Sequence, residues 1–267
     1  MKLILLPFKE GSEGAQRIAE TLNVRRVLRG DVDYRPDEPT VAINWGRGDY
    51  PRWRNRVQGF INHPCSVANA IDKKTAFLMM KEAGVPVPEF TTDINVARGW
   101  LDRRETIAVF CRTEVDAARG NGIVVARRAA ELVPAPLYTK YVRKVHEYRI
   151  HAMKGEVFYV NKKQRRLDAP RGEQLVRSGR EGWFFVHLDL PQWPNANARN
   201  AAGQAVAALG LDFGGVDVGV SEDGTATVYE VNTAPEIGRN TAAAYKAAFQ
   251  QHYGQYNNNE NVPIRNL

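Results

Sequence analysis

The strongest constraint on how this chain folds is Asp223-Gly224, set between two runs of alternating character at 215–220 and 225–232. An Asp-Gly pair tolerates the backbone dihedrals of a tight hairpin turn, and the flanking runs are rich in valine and threonine, so an antiparallel hairpin is expected. Successive side chains on a strand point to opposite faces. A two-residue turn then sets Asp217 opposite Glu230 with Asn232 on the same face, while Val216, Val218, Val220, Tyr229 and Val231 line the other. Two carboxylates facing across a ladder repel each other and lose hydration together unless a cation lies between them. Hard oxygen donors without sulfur or imidazole suit Mg2+ or Mn2+. Asp217, Glu230 and Asn232 are therefore the expected metal ligands. The competing reading is an exposed acid pair met by nearby lysine or arginine; it is weakened by Asn232 and by Gly214, Gly215 and Gly219, which leave room beside the acids.

A second hairpin is expected where Lys154-Gly155 separates 147–153 from 156–162. A two-residue turn there places Glu147 across from Lys162. Tyr148, Ile150, Ala152, Val157 and Tyr159 form the apolar side, and Glu147, Arg149, His151 and Lys162 share the polar one. Helices are expected over 12–22, over 72–83 with Asp72 as N-cap and Gly84 at the stop, and over 198–209 before Gly210. Strands are expected at 2–6, 40–45, 106–112, 122–127 and 137–143. The polar, glycine-containing stretch 113–121 between two of them reads as a flap.

The chain has 267 residues, 43% of them hydrophobic and 25% charged, which excludes disordered and fibrous classes. Cys65 and Cys111 stand far apart with no metal or disulfide spacing, and Cys111 sits in an apolar strand, so a reducing cytoplasmic compartment is expected. No run approaches the length of a membrane span. The net charge of +7 is compatible with nucleic acid, nucleotide or acidic substrates, but no nucleic-acid motif accompanies it, and the basic clusters at 25–29, 47–56 and 162–180 read as solvated faces. No phosphate-binding P-loop or nucleophile triad is present.

Several of these segments together resemble the ATP-grasp superfamily. Gly215-Val216-Asp217 and Glu230-Val231-Asn232-Thr233-Ala234-Pro235 are similar to its two metal strands. Asp72-Lys73-Lys74 with Ala83-Gly84-Val85-Pro86-Val87-Pro88 is similar to the entry to its central domain. Thr139-Lys140-Tyr141-Val142-Arg143 followed by His146-Glu147-Tyr148-Arg149 is similar to its hinge and ribose-binding strand. The resemblance spans about 61–245 and is closest to the glutamate-ligating, ribosomal-protein-modifying type and to D-alanine:D-alanine ligases.

The resemblance implies an α/β (α+β) fold in three parts: an N-terminal α/β unit (1–68), a central lid (69–136) and a C-terminal antiparallel-sheet subdomain with the metals (137–253), before a flexible tail (254–267). It implies ATP with two Mg2+ ions, for which Mn2+ may substitute, held by Asp217, Glu230 and Asn232. Lys73 belongs to the entry motif. Lys140 and the backbone of Tyr141, Val142 and Arg143 would bind adenine, Glu147 the ribose, and Arg112 the base and α-phosphate in place of the family's usual lysine. Gly120 and Gly122 would close over the phosphates. Arg149, Lys162 and Arg177 would offset the charge of the reacting groups, although Gly179 replaces an asparagine that normally follows Arg177. The implied reaction joins a small-molecule or peptide carboxylate to an amine through an acyl phosphate. A kinase on the same fold and a non-catalytic nucleotide binder stay open.

Overall fold

In the computed structural model, residues 1–114, 122–169, 175–189 and 192–254 are described. The chain opens with β1 (Lys2–Pro7), α1 (Glu13–Leu22), β2 (Arg25–Arg26), β3 (Thr40–Trp45) and β4 (Gly59–Ile61). Two helices follow, α2 (Pro64–Ile71) and α3 (Lys73–Glu82), then β5 (Phe90–Thr91), α4 (Ile94–Asp102), β6 (Val109–Arg112), β7 (Ile123–Ala126) and β8 (Leu137–Lys140). The long strands come next: β9 (His146–Met153), β10 (Glu156–Arg165) and β11 (Trp183–His187). Last are α5 (Ala196–Ala208), β12 (Phe213–Val220), β13 (Ala226–Asn232) and α6 (Arg239–Tyr253).

The chain forms two compact units, Met1–Val67 with Thr233–Leu267, and Ala68–Asn232. The second unit begins at Ala68, and residues 233–253 belong to the first. The last helix, α6, packs on α1 within the first unit, where Tyr245 meets Trp45 edge to face at 5.4 Å. No helix was expected at 239–253, because Gly238 offers no side-chain cap to signal its start.

In the first unit four parallel strands lie in the order β2-β1-β3-β4. β1 and β3 read as near-continuous apolar runs because both faces of such a sheet are covered. Ser12 caps α1 through the Ala15 amide, as its place before the apolar spacing indicates.

The second unit holds two sheets. An antiparallel sheet in the order β5-β8-β6-β7 packs against α4 around Trp100, Leu101, Val109, Tyr138 and Cys111, whose thiol is pushed up in pKa by burial. The other is five-stranded, β11-β10-β9-β12-β13, antiparallel throughout. The alanine-rich side of α5, including Ala198, Ala202 and Ala205, is buried in contact with β9, β12 and β13. Gly203 is required there, because a Cβ would meet the Gly155 carbonyl oxygen at 2.3 Å. Asp72 caps α3 at 2.6 Å through the Thr75 amide, a contact worth about 1 kcal/mol. Among the described residues no helix is long and apolar enough to cross a membrane.

Candidate active site

The site is built on the face of the five-stranded sheet opposite the apolar one. Asp217 pairs with Glu230 across β12 and β13 and Gly215 with Asn232, so the two acids and the amide share one face. Asn232 Nδ2 donates to the Gly215 carbonyl at 3.2 Å, which fixes the amide and commits its nitrogen, so Oδ1 is the end left for a ligand. On the next strand, Arg149 pairs with Asp217 and Glu147 with Gly219. Val216, Val218, Ile150, Ala152 and Val160 are buried on the opposite side.

Register along β10 departs from expectation. Met153 pairs with Glu156, as the Lys154-Gly155 turn requires, but the ladder shifts between Val157 and Tyr159, leaving Phe158 as an extra residue. Lys162 therefore pairs with Tyr148 rather than Glu147, and Asn161 with Arg149. Lys162 leaves the acid-bearing face, and Lys163 takes the position expected for it, with its ammonium on the Glu147 carboxylate. The same shift brings Tyr159, expected on the apolar side, opposite His151.

Each acid here meets a cation from the chain. Asp217 is gripped by Arg149 through both oxygens, Nε to Oδ1 at 2.7 Å and Nη2 to Oδ2 at 2.9 Å, with the guanidinium over the Phe185 ring at 4.4 Å. Burial alone would raise the Asp217 carboxyl, but the Arg149 charge and its hydrogen bonds outweigh it and hold the group below the usual range. Glu230 lies 3.5 Å from Lys73 at the start of α3. Glu147 faces both Lys163 and, at 3.5 Å, Lys144. The Lys144 pKa is lowered chiefly by burial, only partly offset by Glu147. Burial, reinforced by Glu147, raises the Tyr229 phenol, whose ring lies over Gly219 and under the Lys144 ammonium at 4.5 Å.

Arg112 ends β6 with 7% of its surface exposed, above the Phe77 ring at 5.6 Å. Among the described residues its Nε has no hydrogen-bond partner, and burial lowers its pKa although Glu230 opposes this. A buried guanidinium donor left unmatched is a position where an anion fits. Gly122, at φ +64°, closes the base of the 113–122 stretch through the Thr113 amide, and a Cβ there would meet the Glu114 Cβ at 2.9 Å. Gly120 lies outside the described residues.

The linker after β8 is placed differently from its expected role. Lys140 is held by Glu89 and Glu105, each at 2.6 Å; burial would lower its pKa, but the two acids raise it. The Tyr141 amide donates to the Ala108 carbonyl and its own carbonyl accepts from the Thr106 hydroxyl, so both of its backbone groups are committed within the fold. Arg177 donates to the Lys144 carbonyl at 3.0 Å and stacks over Trp183 at 4.6 Å, which associates it with the Glu147 end of the face. Lys144, Lys163, Asn161 and Phe185 carry no signal in the sequence; Tyr229, expected on the apolar face, is the bulged residue between Val228 and Glu230 and lies over Gly219 on the acid-bearing side.

The donors fit a divalent ion and a polyphosphate by type. Two carboxylates and an amide oxygen make a hard set, ringed by Arg149, Lys73, Lys163 and Arg112. No family profile and no curated protein matches the sequence. Solved structures do match by fold. A D-alanine–D-alanine ligase from Bacillus anthracis shares 14% identity at a TM-score of 0.67, covering 96% of this chain and 95% of that one. The ATP-grasp ligase PsnB, in complex with a minimal precursor, shares 15% at 0.66, covering 94% and 99%. D-cycloserine synthetase DcsG shares 17% at 0.62, covering 93% and 99%. The chain has the fold of the ATP-grasp ligases.

Proposed function

We propose that the chain is an ATP- and Mg2+-dependent ligase that joins a carboxylate to an amine through an acyl phosphate. The observation that carries this reading is the alignment of Asp217, Glu230 and Asn232 on one sheet face among buried cations. Similar solved structures support it: PsnB is seen in complex with a minimal precursor, Mg and ADP, and the Bacillus anthracis ligase in complex with ATP. PsnB and the macrocyclase MdnC are also seen in complex with precursor peptides, so a peptide carboxylate or a small acid is the proposed substrate.

Asp217, Glu230 and Asn232 would hold the metal, whose charge would screen the phosphates from one another. Arg112, Lys73 and the Gly122 turn meet the phosphates, and Glu147 with the Val142 and Arg143 backbone meets the nucleoside. Lys140, bound to two acids, contributes by fixing the linker. A substrate carboxylate oxygen attacks the γ-phosphorus, ADP departs, and the amine then displaces phosphate from the acyl carbon. Arg149 and Lys163 offset the charge that develops, with Lys163 in the place sequence reasoning gave to Lys162, and Arg177 orders the Lys144 segment beside them. This division of roles also gives the chain its proposed parts: the second unit carries the nucleotide chemistry.

ADP formation screened against pooled acids, peptides and amines tests the activity. With the correct acid and no amine, hydroxylamine should trap a hydroxamate. A stable phosphate ester in its place would make the protein a kinase, and ATP binding without turnover would make it a nucleotide sensor.

A further inference from the structure

A second site lies wholly within the first unit. In open parallel sheets ligands bind outside the carboxyl ends of the strands. The segments leaving β3 and β4 meet there. Asn44, fully buried, clamps the loop after β3 through both ends of its amide, donating to the Arg47 carbonyl at 2.8 Å and accepting from the Arg47 amide at 2.9 Å. After β4, Asn62 adopts φ +61° while buried, a conformation uncommon outside glycine that redirects the chain at His63.

These two rigid turns bring Tyr50 and His63 together. The Tyr50 hydroxyl lies 3.0 Å from His63 Nε2 and 3.3 Å from the Cys65 thiol. Tyr50, Phe60 and His63 pack edge to face, with centroids 5.4 to 6.3 Å apart, as one aromatic wall. The wall borders an open cavity of about 590 Å3, also lined by Arg54, Asn55 and Gln58. That volume suits a small organic ligand.

Arg54 is the informative residue. It opens a short helical turn pinned on one side by buried Trp53 and on the other by Arg56, which donates to the Tyr34 carbonyl at 2.8 Å. Among the described residues Arg54 has no carboxylate partner; its guanidinium sits over the Tyr50 ring at 5.5 Å. Arg47, by contrast, is committed to Asp49, which also binds Arg29. One uncompensated guanidinium beside a ring wall and two amides offers a planar fork for a carboxylate and a surface on which an aromatic group packs. A phosphate site would gather several cations or a set of amides at the same point. We infer that this cavity binds a small aromatic or heteroaromatic carboxylate. The inference stands apart from the nucleotide chemistry proposed for the second unit.

Cys65 makes the site measurable, since it is exposed while Cys111 is buried. Iodoacetamide, small and neutral, should alkylate Cys65 alone, and the rate is followed by mass spectrometry at constant ionic strength. Benzoate should slow alkylation at least about tenfold at saturation, whereas benzamide, lacking charge, and cyclohexanecarboxylate, lacking the flat ring, should change it by less than about twofold. Arg54→Gln should alkylate at the ligand-free rate with or without benzoate. Because Arg54 is exposed the variant should fold, which circular dichroism verifies; Arg54→Lys serves as the second variant and should protect only weakly, having charge without the fork. Absence of protection by benzoate, equal protection by cyclohexanecarboxylate, or full protection in Arg54→Gln would each overturn the assignment. None of these results depends on whether ATP is hydrolysed.

Discussion

The two hairpins of the five-stranded sheet carry the same turn signal in sequence and differ in register. A two-residue turn is expected in each, and both carry a bulge. In β12–β13 the loop displaces the ladder by one residue, so that Val220 meets Ala226, and a bulge at Tyr229 restores the register in time for Asp217 to face Glu230. In β9–β10 the turn forms as read, and the bulge at Phe158 is left uncancelled, so every residue beyond it changes face. A one-residue slip exchanges the core and solvent faces of a strand. Facing acids are thus a sounder sequence inference than the register that suggested them, because a valine face on both strands forces errors to cancel. On β10 the alternation is weaker, and nothing penalises the slip.

The largest effect is expected at the hairpin whose register survived. Glu230→Gln removes a proposed metal ligand and should reduce ADP formation by more than about a thousandfold, roughly the scale of 4 kcal/mol in the barrier. Its Tm should change little, since the charge is 30% exposed and its lysine partner is 3.5 Å away. Turnover within tenfold of wild type would remove Glu230 from the metal site.

Next in size is the link between the hairpins, the Arg149–Asp217 pair. Arg149→Met leaves a buried carboxylate unmatched and should cost about 3–5 kcal/mol of stability at pH 7. The sign of the pH dependence separates this from a packing defect. In the wild type Asp217 is depressed, so its contribution is present above the unfolded carboxyl value of 3.8 and fades as pH falls below it. In the variant burial is opposed only by the weaker Lys163 and His151 contributions and should raise Asp217, so the deficit should shrink as the medium is acidified toward pH 4. Denaturant midpoints that stay parallel for the two proteins between pH 7 and 4 would show that the pair is not what Arg149 contributes.

The hairpin that slipped supplies the third comparison. Lys163→Met should lower turnover about a hundredfold, and Lys162→Met by less than about threefold, because only Lys163 shares the face of Glu147. Equal losses would mean that both lysines reach the reacting groups; the reverse order would restore Lys162 and the unbulged register.

How much could be read from sequence follows the same logic. β1, β3, α1, α3, α5 and the acid hairpin were legible because their patterns are strong and their caps explicit: Ser12, Asp72 and the Asp223-Gly224 turn. α4 and α6 were not, the latter because Gly238 gives it no capping side chain. The faces of Arg149, Asp217, Glu230 and Asn232 emerged as read. Lys163 did not, since one extra residue at Phe158 leaves no mark in a run where tyrosine, valine and lysine suit either face. The partners of Lys140 were equally invisible, because Glu89 and Glu105 are 51 and 35 residues away in the chain. Long-range pairing of exposed charges has no periodicity to betray it.

The smallest effect tests the bulge itself. His151 follows Arg149 on the polar face, is fully buried, and contacts the rings of Phe158 at 6.2 Å and Tyr159 at 5.9 Å. Burial, with the Arg149 charge adding to it, lowers its pKa to about 3 from an ordinary 6.5. Below pH 6.5 the unfolded chain takes up a proton here that the folded chain refuses, so stability should decline as pH falls, approaching about 1.4 kcal/mol per unit between pH 5.5 and 4.5. His151→Gln keeps a polar partner for Asn161 but cannot titrate, and its stability curve should be flatter by that amount over the same interval. Glu147, Lys163 and Asp217 face the same strands in both proteins and cancel in the difference. If the two curves run parallel, His151 is protonated in the folded chain, water reaches it, and the Phe158 bulge does not seal that end of the face.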